Sequence, residues 1–508
     1  MLETREGRAK FNILTTFLSQ LITIICGFIV PRIMIQTFGS EVYGATTSIA
    51  QFLSYISLLE GGIGGVARAA LYKPLAEKNI KGISDVYHLM KRFFCIVGII
   101  FIGYTFVIGI FYYDIANITA FDRTFTFFLV IAISISTMVQ YFWGIANLAL
   151  LNADQKRYVS NLAVMVTTII NMLMIFVLVQ LGFNILLVKL CSSFIFILRP
   201  FWFSIYVKRK YKLKKSKDPD KRLLSQKWTG LGQHIAYFLH TNTDVVLLTI
   251  FSDLSVVSIY SVYNLISTGI KNVVTSFSGG MESVFGDMLA KKEYHLFKEA
   301  YFKYELMLSI MTMVMYETAG ILVLPFVELY TKGVTDAPYI QPRFAIILLL
   351  SEALNCIQIP CTSLPVAVNK FKETRWGAYG EAAFNIILSL ILIRKNPLIG
   401  VATGTLVSVV FQNIFYMSYV SKNIFQSSII RVFLKKYFLK ILCMLTIICM
   451  GMRIISNTSI NSFLEWGTYG FLTIMLVIPI TCIFNAFLYY KEIKRFWLFG
   501  RKADKEKK

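Results

Sequence analysis

Lys271, Asp244, Glu352, Glu317, Arg199 and Arg32 all lie inside long apolar blocks of the chain, and Arg68 closes one such block. An ionisable side chain at that depth costs several kcal/mol unless it meets water, a ligand or a counter-charge. Each of these residues therefore marks a pairing or a site. Lysine and arginine suit a phosphate or carboxylate, whereas aspartate and glutamate suit a cation or a proton. At about 100° per residue, Lys271 shares a helix face with Asn264, Thr268, Thr275 and Ser278, which points it toward a polar cavity. Asp244 shares a face with Gln233, Tyr237 and His240 and is either the partner of Lys271 or an ion ligand. Arg199, beside Pro200, is either structurally paired or a ligand group. Glu317 and Glu352 either pair with Arg199 or carry a coupling ion. Arg32 falls about 200° from the polar face of its own helix, where an arginine can snorkel to the interface. Only a kink at Pro31 would turn it inward. Glu60 lies off its stripe, so a buried partner is expected for it.

Two further stripes run through the first blocks: Asn12, Thr16, Ser19 and Thr23, then Thr47, Gln51, Ser54, Gly61 and Gly65, with Arg68 slightly beyond. Serine and threonine in such places commonly bond their own helix or join neighbouring helices. Stripes on the same two helices of each half of the chain favour a shared, water-filled cavity. The expected binding residues are Lys271, Arg68, Arg32, Arg199, Asn12, Thr16, Gln51 and Asn264; the expected ion-sensitive groups are Asp244, Glu352 and Glu317. No catalytic, metal or cofactor site is expected. The eight cysteines sit in apolar blocks without ligand spacing, the four histidines form no HExxH pair, and there is no P-loop or GxSxG elbow.

The elements that must position these residues follow from composition. The 508 residues are 56% hydrophobic and only 16% charged, with mean hydropathy +0.63, against roughly 25% charged in a soluble chain. The apolar residues come in blocks of about 20, enough to cross a hydrocarbon core as a helix. The pattern predicts an all-α polytopic membrane protein of about 14 transmembrane helices, its first span retained rather than cleaved. The net charge of +23 would suggest nucleic acid in a soluble protein. Here 41 of the 51 Lys and Arg fall on the segments that face one side, and six on the loops that face the other. By the positive-inside rule both termini are then cytoplasmic, and no nucleic-acid partner is expected.

Residues 208–227 carry 10 of those basic residues and read as a cytoplasmic linker on anionic headgroups. The two sides of it resemble each other at an offset of about 213–218. FGSEVYGATTSI (38–49) faces FSDLSVVSIYSVYNLI (251–266), Gly61-Gly62 faces Gly279-Gly280, LLNADQKRY (150–158) faces AVNKFKETRW (367–376), and Asn171 faces Asn385. The expected organisation is two pseudo-repeated six-helix lobes around a central cavity, 1–207 and 228–420. Two extra helices in 421–490 and a basic cytoplasmic tail at 491–508 follow. Six spans per half make the repeats parallel.

The run IVPRIMIQTFGSEVYGATTSI (29–49) resembles the first loop of the polysaccharide (O-antigen type) flippases, in which an arginine, here Arg32, precedes a Gly-x-x-x-Tyr-Gly turn, here Gly39, Tyr43 and Gly44. GGIGGVARAAL (61–71), ending near Arg68, and LLNADQKRY (150–158) resemble that family's glycine-rich second span and the hairpin after its fourth. The family belongs to the multidrug/oligosaccharidyl-lipid/polysaccharide exporter superfamily. The resemblance implies flipping of undecaprenyl-diphosphate-linked oligosaccharide from the inner to the outer leaflet of the bacterial cytoplasmic membrane, for surface polysaccharide biosynthesis. It also implies partners: the lipid-linked oligosaccharide, membrane lipids, and the polymerase and glycosyltransferases of the same process. With no nucleotide motif in the chain to drive export, coupling to the membrane potential or to a Na⁺ or H⁺ gradient is expected. The residues leave two alternatives in the superfamily, a multidrug/cation antiporter and a flippase for the peptidoglycan lipid precursor. An enzyme is not expected.

Overall fold

The computed structural model describes residues 5–61, 63–214, 231–278, 281–368, 370–425, 430–490, 492 and 494. Most of the basic linker (215–227) and almost all of the tail (491–508) lie outside the described residues. Every regular element described is helical: α1 (Arg5–Phe38), α2 (Ser40–Ser54), α3 (Ile63–Ala76), α4 (Ile80–Ile115), α5 (Arg123–Val139), α6 (Ile145–Ala153), α7 (Arg157–Gln180), α8 (Ile185–Lys210), α9 (Leu231–Phe251), α10 (Leu254–Ser278), α11 (Met281–Ala290), α12 (Tyr294–Tyr330), α13 (Pro342–Ile357), α14 (Ile359–Ala367), α15 (Phe371–Leu392), α16 (Pro397–Asn423), α17 (Ile430–Ile455) and α18 (Phe463–Leu488).

Short polar loops start these helices in a local way. Asn79, Asp122, Asn184, Asn396 and Ser462 each cap a first turn by accepting from a backbone N–H three residues on, which satisfies a donor that the helix cannot. Among the described residues, ten helices or joined helix pairs are long and apolar enough to cross a membrane, and α2 with α3, bent by 48°, makes an eleventh if counted as one span. This is a multi-pass membrane protein. The helices α9, α10 and α15, of 21, 25 and 22 residues, are too polar to meet the same standard.

Among the described residues, three helical stretches are broken. A 3₁₀ turn, Tyr55–Glu60, separates α2 from α3. A π turn, Gln140–Gly144, separates α5 from α6, and α13 gives way to α14 at Gln358, just before Pro360, which cannot donate to the preceding turn. The last two breaks lie at the same offset, about 218, that relates the sequence landmarks. Packing repeats with them. α3 lies on α4 and α6 as α11 lies on α12 and α14, and α5 and α7 lie on α8 as α13 and α15 lie on α16.

The chain divides into two compact units, residues 1–261 with 333–337, and residues 262–332 with 338–508. The division passes through α10. In the first unit, Met34, Val42, Ile175, Ile185 and Val188 form a buried cluster from α1, α2, α7 and α8. In the second, Ile321, Leu322, Ile455 and Val477 join α12 to α17 and α18.

The Gly-x-x-x-Tyr-Gly turn has a structural reason in the first unit. Gly39, between α1 and α2, has φ +85°, a backbone region that side chains with a Cβ rarely enter. A Cβ on Gly44 would stand 1.9 Å from the Leu254 carbonyl oxygen, so α2 can lie this close only with glycine there.

Candidate functional site

The polar stripe of α10 remains open where it passes into the second unit. Thr268 and Thr275 are exposed, and Asn264 and Lys271 are half-buried. Lys271 Nζ lies 3.0 Å from Glu352 Oε2 of α13, with the two side chains 23% and 17% exposed. An ammonium and a carboxylate at that distance and exposure are neither deeply desolvated nor fully screened.

Glu352 continues into a chain of amides. Asn355 Nδ2 donates to Glu352 Oε2 at 3.4 Å, and Gln358 Nε2 donates both to Asn355 Oδ1 at 2.9 Å and to Gln412 Oε1 at 2.5 Å. The Gln412 amide in turn donates to Glu381 of α15. Gln358, Gln412 and Glu381 are buried. The break between α13 and α14 sets Gln358 at the centre, from which donation runs both ways to end on a carboxylate. Two acids and one lysine thus share a connected polar network, in which every link matters because an unpaired buried polar group is costly. Among the described residues, no three His, Cys, Asp or Glu come close enough to hold a metal.

In the first unit most expected cavity residues are used in joining helices. Asn12 donates to the Gln155 carbonyl at 2.7 Å and accepts from Tyr158 N at 2.8 Å, fastening α1 to the turn before α7. Asn161 of α7 donates to Thr16 Oγ1 at 2.9 Å. Gln51 donates to Asn242 Oδ1 at 2.5 Å, and Ser48 meets Thr249 at 2.6 Å, so the polar face of α2 is pinned to α9. Arg199 donates to Thr167 Oγ1 at 2.7 Å and Thr168 Oγ1 at 2.9 Å of α7, with its guanidinium 4.3 Å from the Phe196 ring. Within the first unit its hydrogen bonds go to hydroxyls of α7. Arg32 is half-buried inside an α1 that continues through Pro31. Arg68 is exposed, with Nε donating back to the Gly64 carbonyl.

The remaining acids separate. Asp244 is buried and accepts from Tyr260 Oη at 3.0 Å. Glu317 is buried against α18, where Thr481 Oγ1 donates to it at 2.6 Å. Glu60 has the partner its position implies, Tyr141 Oη at 2.6 Å. At the α6–α7 turn, Lys156 Nζ lies 2.5 Å from Asp154 Oδ2 and 2.9 Å from Tyr211 Oη, and Tyr211 also donates to Asp154. Burial, and then the Asp154 hydrogen bond, push the Tyr211 phenol well up, which keeps it a donor.

Neither a protein-family profile nor a curated protein matches the chain. Solved structures do. One of the lipid II flippase MurJ, in an inward closed conformation, is 16% identical, with TM-score 0.67 over 95% of this chain and 99% of that one. An inward-facing multidrug resistance MATE family transporter of the MOP superfamily is 13% identical, with TM-score 0.62 over 81% of this chain and 98% of that one. The Vibrio cholerae MATE transporter VcmN is 15% identical, with TM-score 0.55 over 82% and 98%. The fold is MurJ- and MATE-like.

Two polar clusters within this MurJ- and MATE-like fold escaped the sequence reading. One is the Glu381–Gln412–Gln358–Asn355 chain. Glu352, Asn355 and Gln358 recur every third residue, and that run was the signal available for it. The other joins the two last helices to α12. Lys440 Nζ lies 2.9 Å from Tyr489 Oη, Tyr489 donates to Glu305 Oε1 at 2.5 Å, and Lys436 Nζ lies 2.7 Å from Glu492 Oε1. Lys436 and Lys440 are the cations of this cluster. They are buried in α17, 4% and 2% exposed, because acids and a tyrosine from α12 and the C-terminal end of α18 reach them.

Proposed function

We propose that the protein is a flippase that moves undecaprenyl-diphosphate-linked oligosaccharide from the inner to the outer leaflet of the bacterial cytoplasmic membrane by alternating access, with both termini cytoplasmic. The observation that carries the reading is the open stripe of α10, with Lys271 half-exposed among Asn264, Thr268 and Thr275. A diphosphate needs a cation that can be reached, and sugars need hydroxyls and amides; the stripe offers both. The fold likeness to a lipid II flippase supports a flippase of some lipid-linked substrate. Arg68, exposed on α3, is a second basic group available to phosphate.

Glu352 gives the lysine a counter-charge to exchange. When the diphosphate binds Lys271, Glu352 loses its ammonium and gains affinity for a proton or Na⁺, so substrate and ion are coupled through one pair. The same carboxylates favour a second reading, a cation antiporter, in which Glu352 and Glu381 hold a cationic substrate instead.

Reconstituted vesicles containing a fluorescent undecaprenyl-diphosphate oligosaccharide separate these readings. Lys271→Ala should abolish flipping while the protein stays folded, and Lys271→Arg should keep part of it. Full flipping by Lys271→Ala, or efflux of organic cations without any movement of the lipid-linked sugar, would overturn the proposal.

A further inference from the structure

A face of α8 carries a groove of about 440 Å³ lined by Trp202, Ile205, Tyr206, Arg209 and Lys210. We propose that this groove binds an anionic phospholipid of the surrounding membrane, its phosphate held by Arg209 and Lys210 and its first acyl segment lying along Trp202 and Ile205. None of its residues belongs to the stripes described above.

Spacing gives the first argument. Residues 202, 205, 206 and 209 recur at the three- and four-residue steps of one helix face. Trp202 lies about 10 Å along the axis from Arg209 at 1.5 Å per residue. The apolar part therefore lies toward the middle of the span and the basic part at its end. That is the order of chain and headgroup in a phospholipid.

Charge gives the second. The last turn of α8 holds Lys208, Arg209 and Lys210, and the chain continues through Lys212 and Lys214, both exposed. Among the described residues, no acid lines the groove. Asp154, the nearby acid on the α6–α7 turn, is engaged by Lys156 and Tyr211. Trp202 and Ile205 are 45% and 52% exposed, so the apolar floor is open to lipid.

Rigidity gives the third. The Tyr206 hydroxyl lies 3.1 Å from that of Tyr158 on α7, which holds one wall in place. On the next turn back, Phe201 stacks on Trp143 with ring planes 16° apart, fixing the rotation of α8. A preformed wall lowers the ordering cost of binding.

Native mass spectrometry of the detergent-purified full chain, titrated with phosphatidylglycerol or phosphatidylcholine, tests the site. The first phosphatidylglycerol should bind about tenfold more tightly than phosphatidylcholine, as two interfacial basic residues allow. The double variant Arg209→Gln/Lys210→Gln should remove that preference, and Trp202→Ala should weaken both lipids alike. All three side chains are exposed, so the variants should melt with the wild type. Equal affinity for the two lipids in the wild type would overturn the proposal. So would a phosphatidylglycerol affinity indifferent to both the double variant and Trp202→Ala, the result expected if another part of the chain fills the groove.

Discussion

Lys271 Nζ and Glu352 Oε2 stand 3.0 Å apart, on α10 and α13 of the same unit. The pair joins an expected binding residue on the open stripe of α10 to one of the three expected ion-sensitive acids. Substitution of the acid separates its two duties. Glu352→Gln keeps the shape and an acceptor for Asn355 but removes the charge, so the protein should fold and still bind the lipid-linked substrate. Flipping in vesicles should lose its dependence on an imposed Na⁺ or H⁺ gradient. A gradient dependence equal to that of the wild type would remove Glu352 from coupling.

Gln412 bridges Gln358 and Glu381 in a buried chain. Gln412→Leu leaves the Glu381 carboxylate without this donor, a loss of about 1–3 kcal/mol. The melting temperature in detergent should fall accordingly.

Glycine positions divide by what a Cβ would meet. Gly44→Ala must displace α2 from the Leu254 carbonyl and should cost about 1–3 kcal/mol. Gly65→Ala, with nothing within 4 Å of its Cβ, should leave stability unchanged or raise it by up to about 1 kcal/mol in helix α3. Melting curves of the two variants read the difference directly.

The buried Lys440 answers a different question, whether α17 and α18 are docked by charge. Lys440→Met leaves Glu305 facing Tyr489 without its cation and should cost about 3–5 kcal/mol. The double change with Glu305→Gln should restore most of it. Additive losses would mean that the pair contributes nothing as a pair.

Topology has its own measurement. Cysteines placed in 208–214 should react only with reagents on the cytoplasmic side, and cysteines beside Arg123 and Lys332 only from outside. Labelling of 208–214 from outside would overturn the orientation read from the 41 to 6 charge split.

Much of the architecture was legible in one dimension because the membrane makes it so. A span must be about 20 apolar residues long and helical, since no water is present to satisfy its backbone. The blocks, the polar faces of α1, α2 and α10, and the repeat at an offset of about 213–218 all follow from local spacing. So does the glycine turn: Gly39 and Gly44 were visible as a pattern, though their reasons, a positive φ and the Leu254 carbonyl, were not.

What spacing could not reveal is which polar face meets another helix and which stays open. The stripes containing Asn12, Thr16 and Gln51 look like that of Lys271 in sequence. Only packing turned the first three onto Gln155, Asn161 and Asn242 and left Thr268 and Thr275 exposed beside the lysine. Partner choice is likewise tertiary. Arg199 took two threonines of α7, Glu317 took Thr481 of α18, and Glu352 took Lys271. A charge in an apolar block announces that it needs a partner, but the partner lies tens or hundreds of residues away. The energy that selects it depends on distance and burial, which exist only once the helices are packed.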